Sequence, residues 1–405
     1  MIKFALIKER KTPPDRRVVF SPNKLKEVVQ KFPEASFKIE SSDIRIFSDQ
    51  EYIDAGFEVS EDVSDCDVLL GVKEVPLPFL IPDKKYFFFS HTIKKQPYNR
   101  DLLREVLQKN IELYDHEVVV KKNGHRLIGF GRYAGLVGAY NCIRALGVRD
   151  SLFELPKAES LPDLEALLAA LDTIKIPALK FVLTGSGKVA HGAKEILDHL
   201  KIKQVEVANY LNDNFDESVY CLIDVLDYNL QKSGKNTTNQ HFYKHPEEYN
   251  SNFMRFAKVS DVFIAGHFYG DGAPQFFTAE QANSSDFKIK LIADISCDIK
   301  VPIASTIRPS TIAHPFYGYN PETDAEIDFK DNNAIMVMAV DNLPCELPRD
   351  ASEGFGEMFF EHVIPAFFNN DADNILKRAR MAKDEQLTER FKYLKDYVDG
   401  VDHHH

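Results

Sequence analysis

Near the middle of the chain, Phe181, Val182, Leu183 and Thr184 have strand character and run straight into Gly185-Ser186-Gly187-Lys188-Val189-Ala190. A helical spacing of apolar residues follows at Ala193, Ile196, Leu197 and Leu200. Strand, glycine-rich turn and helix in that order commit the segment to a βα unit of a parallel sheet. Gly185 allows the tight turn, and Gly187 lets backbone N–H groups approach a pyrophosphate with no Cβ in the way. The helix N-terminus adds unpaired donors and a partial positive charge. Ala190 stands where a third glycine is usual and is small enough for close helix–strand packing. A lone Gly-x-Gly-x-x-Ala also describes an ordinary strand-to-helix turn. The strand before it and the helix after it favour dinucleotide binding through Gly185, Ser186, Gly187, Lys188 and Val189.

The motif lies mid-chain, so a long N-terminal segment has another task, and 405 residues leave room for two domains. The net charge of −12, with no dense basic run, argues against nucleic-acid binding. No apolar run approaches the roughly 18 residues that cross a bilayer, and the N-terminus has no signal-peptide pattern, so no membrane partner is expected. Cys66, Cys142, Cys221, Cys297 and Cys345 are widely spaced and lack any Cys-x-x-Cys pairing. That favours reduced thiols in a cytoplasmic protein over disulfides, and no metal site is expected. Residues 401–405 look like the start of an expression tag.

The expected elements alternate. Strands are expected at Lys3–Lys8, Phe37–Ile39, Val68–Val72, Tyr86–Ser90 and Ile111–Tyr114. Helices are expected at Ser21–Phe32, with Ser21 as cap and Pro22 first, and at Asp49–Ala55 and Asn99–Asn110. Arg132–Leu146 is a helix rich in small residues (Ala134, Gly135, Gly138, Ala139), suited to close packing and to crossing between domains. A helix at Leu161–Leu171 precedes the glycine turn. Beyond the turn come a strand near Val205–Val207, a polar insertion about 212–252, and strands at Val262–Ala265, Leu291–Ile295 and Ala334–Ala339. Helices at Glu353–Phe368 and Ala372–Tyr397 close the chain. The fold class is α/β, with parallel sheets covered by helices on both faces.

Several blocks are more particular than generic α/β sequence: Phe89-Ser-His-Thr-Ile-Lys94, Ile128-Gly-Phe-Gly-Arg-Tyr-Ala-Gly135 and Tyr243-Lys-His-Pro-Glu-Glu-Tyr249. Others are Asp294-Ile-Ser-Cys-Asp298, Thr311-Ile-Ala-His-Pro-Phe316 and Asp341-Asn-Leu-Pro344. Together they resemble the lysine–ketoglutarate reductase portion of bifunctional aminoadipic semialdehyde synthase. The wider group is the lysine-forming saccharopine dehydrogenases of the alanine dehydrogenase-like superfamily. The resemblance spans about residues 3 to 370 and implies the reductase half standing alone. It implies two Rossmann-like domains with the active-site cleft between them. The substrate domain is expected at 1–138 and 330–400, and the dinucleotide domain at 139–329. The implied reaction condenses lysine with 2-oxoglutarate and reduces the imine to saccharopine, using NAD(H) or NADP(H), in a monomer or small homo-oligomer. A related amino-acid dehydrogenase or imine reductase, or a catalytically silent nucleotide-binding homologue, is the competing reading.

Imine formation needs an acid/base pair. Lys73 and His91 follow buried strands, where α/β sheets place ligand-binding groups, and they match the family's proton-transfer pair. A base lysine there is expected to feel burial and nearby cations. Each also has a bland reading, as a solvated loop lysine or a strand-end histidine. Substrate carboxylates call for guanidinium groups, and Arg17 and Arg126 match the family's, the first with a one-residue register doubt against Arg16. Glu74 and Glu117 match acidic residues that tune the pair or hold the amine, Glu74 following the fungal enzymes rather than the reductase. Gln96 and Phe130 line the expected pocket, although Phe130 is equally suited to a core. Asp341 matches a cofactor-side residue and reads otherwise as a helix N-cap. An NAD-selective fold usually carries Asp or Glu about 20 residues beyond the glycines. Here Ala208 and Asn209 are expected at the strand end, with Glu206 turned into the sheet. The missing acid leans toward NADP(H), with Lys188 as a counter-charge.

Overall fold

A computed structural model describes residues 1–401. The chain divides into two compact units, Met1–Phe130 with the segment from Pro348 on, and Gly131–Leu347. Of the expected tag, Asp402–His405 lie outside the described residues.

The first unit is built on an eight-stranded sheet. Its spatial order is Gln386–Leu387, Arg380–Lys383, Glu112–Asp115, Lys85–Phe88, Val68–Leu70, Ile2–Leu6, Ala35–Glu40, Glu58–Ser60. The strands from Glu112–Asp115 to Glu58–Ser60 are parallel, and the two C-terminal strands add antiparallel at one edge. Parallel strands are covered on both faces, which is why Val68, Leu69 and Leu70 are all buried. From Ile2–Leu6 the chain winds one way to Glu58–Ser60, then restarts on the other side at Val68–Leu70. The reversal opens a crevice past Leu6 and Leu70, the place where such sheets bind ligands. Local signals agree with the elements: Ser21 Oγ accepts from Lys24 N at 3.1 Å with Pro22 opening the helix, and Ser48 with Glu51 forms a capping box.

The second unit repeats the plan. Its order is Ala325–Ile327, Phe316–Asn320, Ile335–Met338, Leu291–Asp294, Val262–Ala265, Lys180–Thr184, Val219–Ile223, Lys203–Gln204. Six strands are parallel, and Phe316–Asn320 with Ala325–Ile327 form the antiparallel edge. The reversal lies beyond Thr184 and Ala265, so the glycine turn sits at the switch point. Phe253, Phe263, Phe276 and Phe277 fill the core beneath it, each fully or almost fully buried. Burying a phenylalanine contributes about 1.5–3 kcal/mol.

Several sequence expectations are corrected. The crossover helix is Gly131–Asp150 and belongs wholly to the second unit; Ile335–Met338 pairs with Leu291–Asp294 there. The divisions therefore fall at 130/131 and 347/348 rather than at 138 and 330. The strand expected near Val205–Val207 ends at Gln204, and Val207–Asn212 is helical. The polar insertion begins later than expected, because Val219–Ile223 is a buried strand beside Lys180–Thr184. What remains is a hairpin, Asn229–Gln231 with Tyr249–Ser251, enclosing the helix Asn239–Lys244. The helix expected at Glu353–Phe368 runs Pro348–His362, followed by a 3-10 turn at Ile364–Phe367. The helix expected at Ala372–Tyr397 is broken. Asn374, Asp384 and Glu385 take left-handed φ angles of 57°, 53° and 64°, and the last two turn the chain between Arg380–Lys383 and Gln386–Leu387.

Candidate active site

At the first unit's switch point a carboxylate ties the two strand ends together. Glu9, just past Ile2–Leu6, accepts from the backbone N–H of Val72 at 3.2 Å and of Lys73 at 2.6 Å. Burial, then repulsion from Asp15, outweighs those bonds and pushes its pKa up to about 8. Lys73 Nζ lies 3.8 Å from Asp15 Oδ2. Asp15 is held by the Arg17 fork, Nε to Oδ1 at 3.1 Å and Nη2 to Oδ2 at 2.7 Å. Burial alone would raise the Asp15 pKa, but the charges of Arg17 and Lys73 keep it low. The ion-pair partner of Lys73 is thus an anion shared with a cation, where burial and nearby cations were expected.

The neighbouring residue, Glu74, orients His91. Its Oε1 accepts from His91 Nδ1 at 2.7 Å and Asn99 Nδ2 at 2.9 Å, and Lys11 Nζ is 3.8 Å from Oε2. Although burial opposes the charge, the bonds from His91 and Asn99 bring the Glu74 pKa down to about 2. The same contact raises the His91 pKa, against the cost of burial. With Nδ1 occupied, Nε2 is the nitrogen left for proton exchange. His91 has a left-handed φ of 52°, a strained setting for a non-glycine residue. The turn is held from both sides: Ser90 N and Oγ donate to Asp115 Oδ2 at 3.0 and 2.5 Å, and Ser90 O accepts from Asn99 Nδ2 at 2.8 Å.

The other expected residues vary in how they join this cluster. Arg17, not Arg16, faces it, since Arg16 Nε bonds the Ile44 carbonyl at 3.2 Å. The Arg17 fork expected to clasp a substrate carboxylate is committed to Asp15, and its guanidinium lies 4.4 Å over the Phe130 ring. Arg126 is exposed and makes no ion pair among the described residues, so its donors are open. Its charge is felt at His116, whose Nε2 is 2.7 Å from the Gly71 carbonyl at the same strand end. Glu117 is half-buried with no side-chain partner among the described residues, and its charge helps raise His91. Phe130 is 9% exposed and stacks on Phe355 at 4.5 Å, which favours the core reading. Gln96 Oε1 turns back to Lys94 N at 3.2 Å and joins no cluster residue. Sequence reasoning missed Glu9, Asp15 and Asn99, polar residues lying near the strand ends on which the cluster is built.

At the second unit's switch point the turn fits a dinucleotide. Gly185 has φ +120°, and a Cβ there would lie 2.4 Å from the Gly266 carbonyl oxygen. A Cβ on Gly187 would meet nothing within 4 Å, which leaves open space in front of the backbone. Gly187 is the N-cap of Lys188–His199 and offers no side-chain cap, and a helix N-terminus of this kind favours an anion. Ser186, Gly187 and Lys188 are exposed and Val189 half-buried. Behind the turn, the small-residue helix packs backbone to backbone on this helix: a Cβ on Gly135 would lie 2.0 Å from Val189 O, and one on Gly192 2.1 Å from Arg132 O.

Asn209 does not reach a strand end; it is exposed within Val207–Asn212. Glu206 is exposed too, at that helix's N-cap position, rather than turned into the sheet. The strand beside Lys180–Thr184 is Val219–Ile223, and Gly185 N bonds Ile223 O at 3.0 Å. The residue that follows is Asp224, half-buried, which sequence counting missed. Asp341 is exposed beyond Ile335–Met338, and its charge helps raise the Cys297 pKa, after burial and Asp294. Asn342, not Asp341, stands at the next cap position.

Residues 5–137 match the family described as alanine dehydrogenase/PNT, N-terminal domain. Lys73 and His91 both lie within the matched residues. The chain is 30% identical over 397 residues to the alpha-aminoadipic semialdehyde synthase of Arabidopsis thaliana, covering 88% of this chain and 37% of that one. It is 26% identical over 387 residues to the saccharopine dehydrogenase [NAD(+), L-lysine-forming] of Yarrowia lipolytica, covering 90% and 92%. The chain spans less than half the length of the first aminoadipic semialdehyde synthases it matches. Its fold matches a solved L-alanine dehydrogenase with a TM-score of 0.66 at 15% identity, covering 99% and 100%. The resemblance expected from the sequence blocks and the two-domain α/β fold class are both borne out. No helix among the described residues is long and apolar enough to cross a membrane.

Proposed function

We propose that this alanine dehydrogenase-like chain is a nicotinamide-dependent oxidoreductase acting on amino acids. Its reaction is the condensation of L-lysine with 2-oxoglutarate and reduction of the imine to saccharopine. The observation that supports this reading is that Lys73 and His91 follow neighbouring parallel strands at the first sheet's switch point, Lys73 3.8 Å from the buried Asp15 and His91 2.7 Å from the buried Glu74. The names of relatives that align with nearly the whole chain support the substrates.

The ε-ammonium of the substrate must lose a proton before its nitrogen can attack the keto carbon. Lys73, beside Asp15, is the group that exchanges that proton, accepting it as the free amine and returning it as the ammonium. His91 is the acid. The Glu74 contact favours its charged form, so Nε2–H donates to the carbinolamine oxygen as water leaves. Arg126 and Glu117, the open cation and anion, bind substrate carboxylate and amine, while Arg17 mainly holds Asp15 in place. Gln96 and Phe130 have at most a lining role.

The cofactor fits the second unit: N–H groups at the start of Lys188–His199 and the Gly187 backbone would hold the pyrophosphate, with Ser186, Lys188 and Val189 around it and Asp341 on the cofactor side. When bound, the reduced nicotinamide supplies the hydride that saturates the imine. A dinucleotide on the turn places its ribose over the adjacent strand, and Asp224 ends that strand. We therefore assign NAD(H), reversing the lean toward NADP(H) that rested on Asn209, and give Asn209 no contact. Five free thiols fit a reducing, cytoplasmic setting.

The test is NADH oxidation by purified protein with 2-oxoglutarate and a panel of amines, with saccharopine identified by mass spectrometry. Lysine-dependent turnover is expected. Turnover of pyruvate and ammonia without lysine would move the chain to the alanine dehydrogenase activity, and no turnover of either would sink the enzymatic reading.

A further inference from the structure

The hairpin insertion in the second unit carries His241, His245 and Glu248 at intervals of four and three residues, and neither the glycine turn nor the Lys73 cluster uses them. We propose that these three side chains form a binding site for a divalent transition metal of borderline softness, zinc(II) or cobalt(II). His241 lies in the helix Asn239–Lys244 and His245 is its C-cap, its N–H bonded to the His241 carbonyl at 2.8 Å, and the two ring centroids are 5.0 Å apart. Pro246 then turns the chain into a 3-10 helix that swings Glu248 back under them. Glu248 Oε2 lies 3.4 Å from His241 Nε2 and 3.9 Å from His245 Nδ1. One ligand atom from each of the three lies within 4.8 Å of the others.

These spacings suit a metal better than hydrogen bonds. Two ligands each about 2.0–2.1 Å from a tetrahedral zinc stand roughly 3.4 Å apart. A charge-assisted N–H···O contact closes to about 2.7–2.9 Å, shorter than either distance here. The other nitrogen of His241 supports the same reading. Its Nδ1 is 2.7 Å from the hydroxyl of Tyr249, a residue 3% exposed whose oxygen also contacts Thr237 Oγ1. When Nδ1 donates to that oxygen, Nε2 turns its lone pair toward a carboxylate, two acceptors that a cation between them reconciles. Ring nitrogens of metal-bound histidines are commonly fixed by such an outer partner. Imidazole and carboxylate ligands select zinc, cobalt or nickel over calcium or magnesium. Three protein ligands at a surface leave a coordination position for water. No metal was expected from sequence, where the cysteines lack any Cys-x-x-Cys pairing.

The test uses the full chain, stripped with a chelator, and compares it with H241A/H245A and with E248Q. Every form keeps the terminal histidines, so only the difference reports on this site. Cobalt(II) titration followed by visible absorption, and zinc calorimetry, should show one more equivalent in the wild type than in H241A/H245A. E248Q should bind that equivalent more weakly by at least the ~10–100-fold that loss of an outer partner alone costs. Circular dichroism and the metal-free melting temperature establish that the variants are folded. Equal stoichiometry and affinity in wild type and H241A/H245A would overturn the proposal, leaving metal at the terminal histidines only.

Discussion

The sharpest test of the cofactor assignment is Asp224→Ser. Serine is as good an N-cap as aspartate, so the short helix Val225–Tyr228 keeps its start. What disappears is the charge beside the glycine turn. The Asp224 carboxylate now accepts from Val225 N at 2.8 Å and Asn239 Nδ2 at 3.1 Å, which leaves lone pairs for ribose hydroxyls. A hydrogen bond to a charged acceptor contributes about 1.5–3 kcal/mol. Its loss should lower kcat/KM for NADH by roughly 10–150-fold, at about 1.4 kcal/mol per decade.

NADPH should respond in the opposite direction. A unit charge about 5 Å from a phosphate, at an effective dielectric of about 20, costs about 3 kcal/mol. Asp224 is half-exposed, and screening reduces that to about 1–2 kcal/mol, roughly tenfold. The ratio of kcat/KM for NADH to that for NADPH should therefore fall about 100- to 1000-fold. Initial-rate assays with both nucleotides read it directly, with Glu206→Ser as the control that leaves the ratio alone. A ratio that moves less than about threefold in Asp224→Ser, or a wild type that prefers NADPH, would refute the placement of the ribose over this strand.

Other substitutions probe the rest of the molecule. Lys73→Met should cut kcat by about 10²–10⁴ with little change in melting temperature, because Asp15 keeps the Arg17 fork; unchanged turnover would remove Lys73 from the chemistry. In Glu74→Gln the limb of the kcat/KM pH profile belonging to His91 should move to lower pH, since the Glu74 contact is the largest cause of its raised pKa. Glu74 itself stabilises the fold above its unfolded pKa near 4.5, and on the order of 3 kcal/mol is lost as pH falls toward about 2, an acid dependence that Glu74→Gln should lack in chemical denaturation. Glu346 is buried and bonded by Asn141 Nδ2 at 2.9 Å, with its pKa pushed up to about 7 by burial, so it costs stability progressively as pH rises from about 4.5 to 7. Glu346→Gln should raise the melting temperature at pH 8, by up to about 3 kcal/mol of stability, and change little at pH 5. Gly135→Ala should lower the melting temperature and raise KM for the nucleotide, because overpacking of about 1–3 kcal/mol falls on the helix that carries the glycine turn.

What could be read from sequence, and what could not, follows from the sheets. A parallel strand is a buried apolar run with its polar contacts gathered past its carboxyl end, so Val68–Leu70 points to Lys73 and Lys180–Thr184 points to Gly185 without any tertiary knowledge. The short helix Asp49–Asp54 was legible because its cap and first turn are local. Three misses share the opposite cause. Asp224 lies 37 residues past Gly187 because Lys203–Gln204 and Val207–Asn212 intervene before the chain reaches the strand beside the turn. Counting about 20 residues therefore lands on the wrong acid. The Arg17 fork was expected to be open because its partner, two residues away, is visible only once the loop is folded. The final helix was expected from an apolar spacing that Asp384 and Glu385 interrupt with left-handed turns, and those residues serve a strand pairing formed with Glu112–Asp115 far back in the chain. The site proposed in each unit lies where the winding of its sheet reverses. The residues at such a point come from segments whose order in space is set by sheet topology, and ribose recognition is therefore assigned to the neighbour in the sheet rather than to the neighbour in the chain.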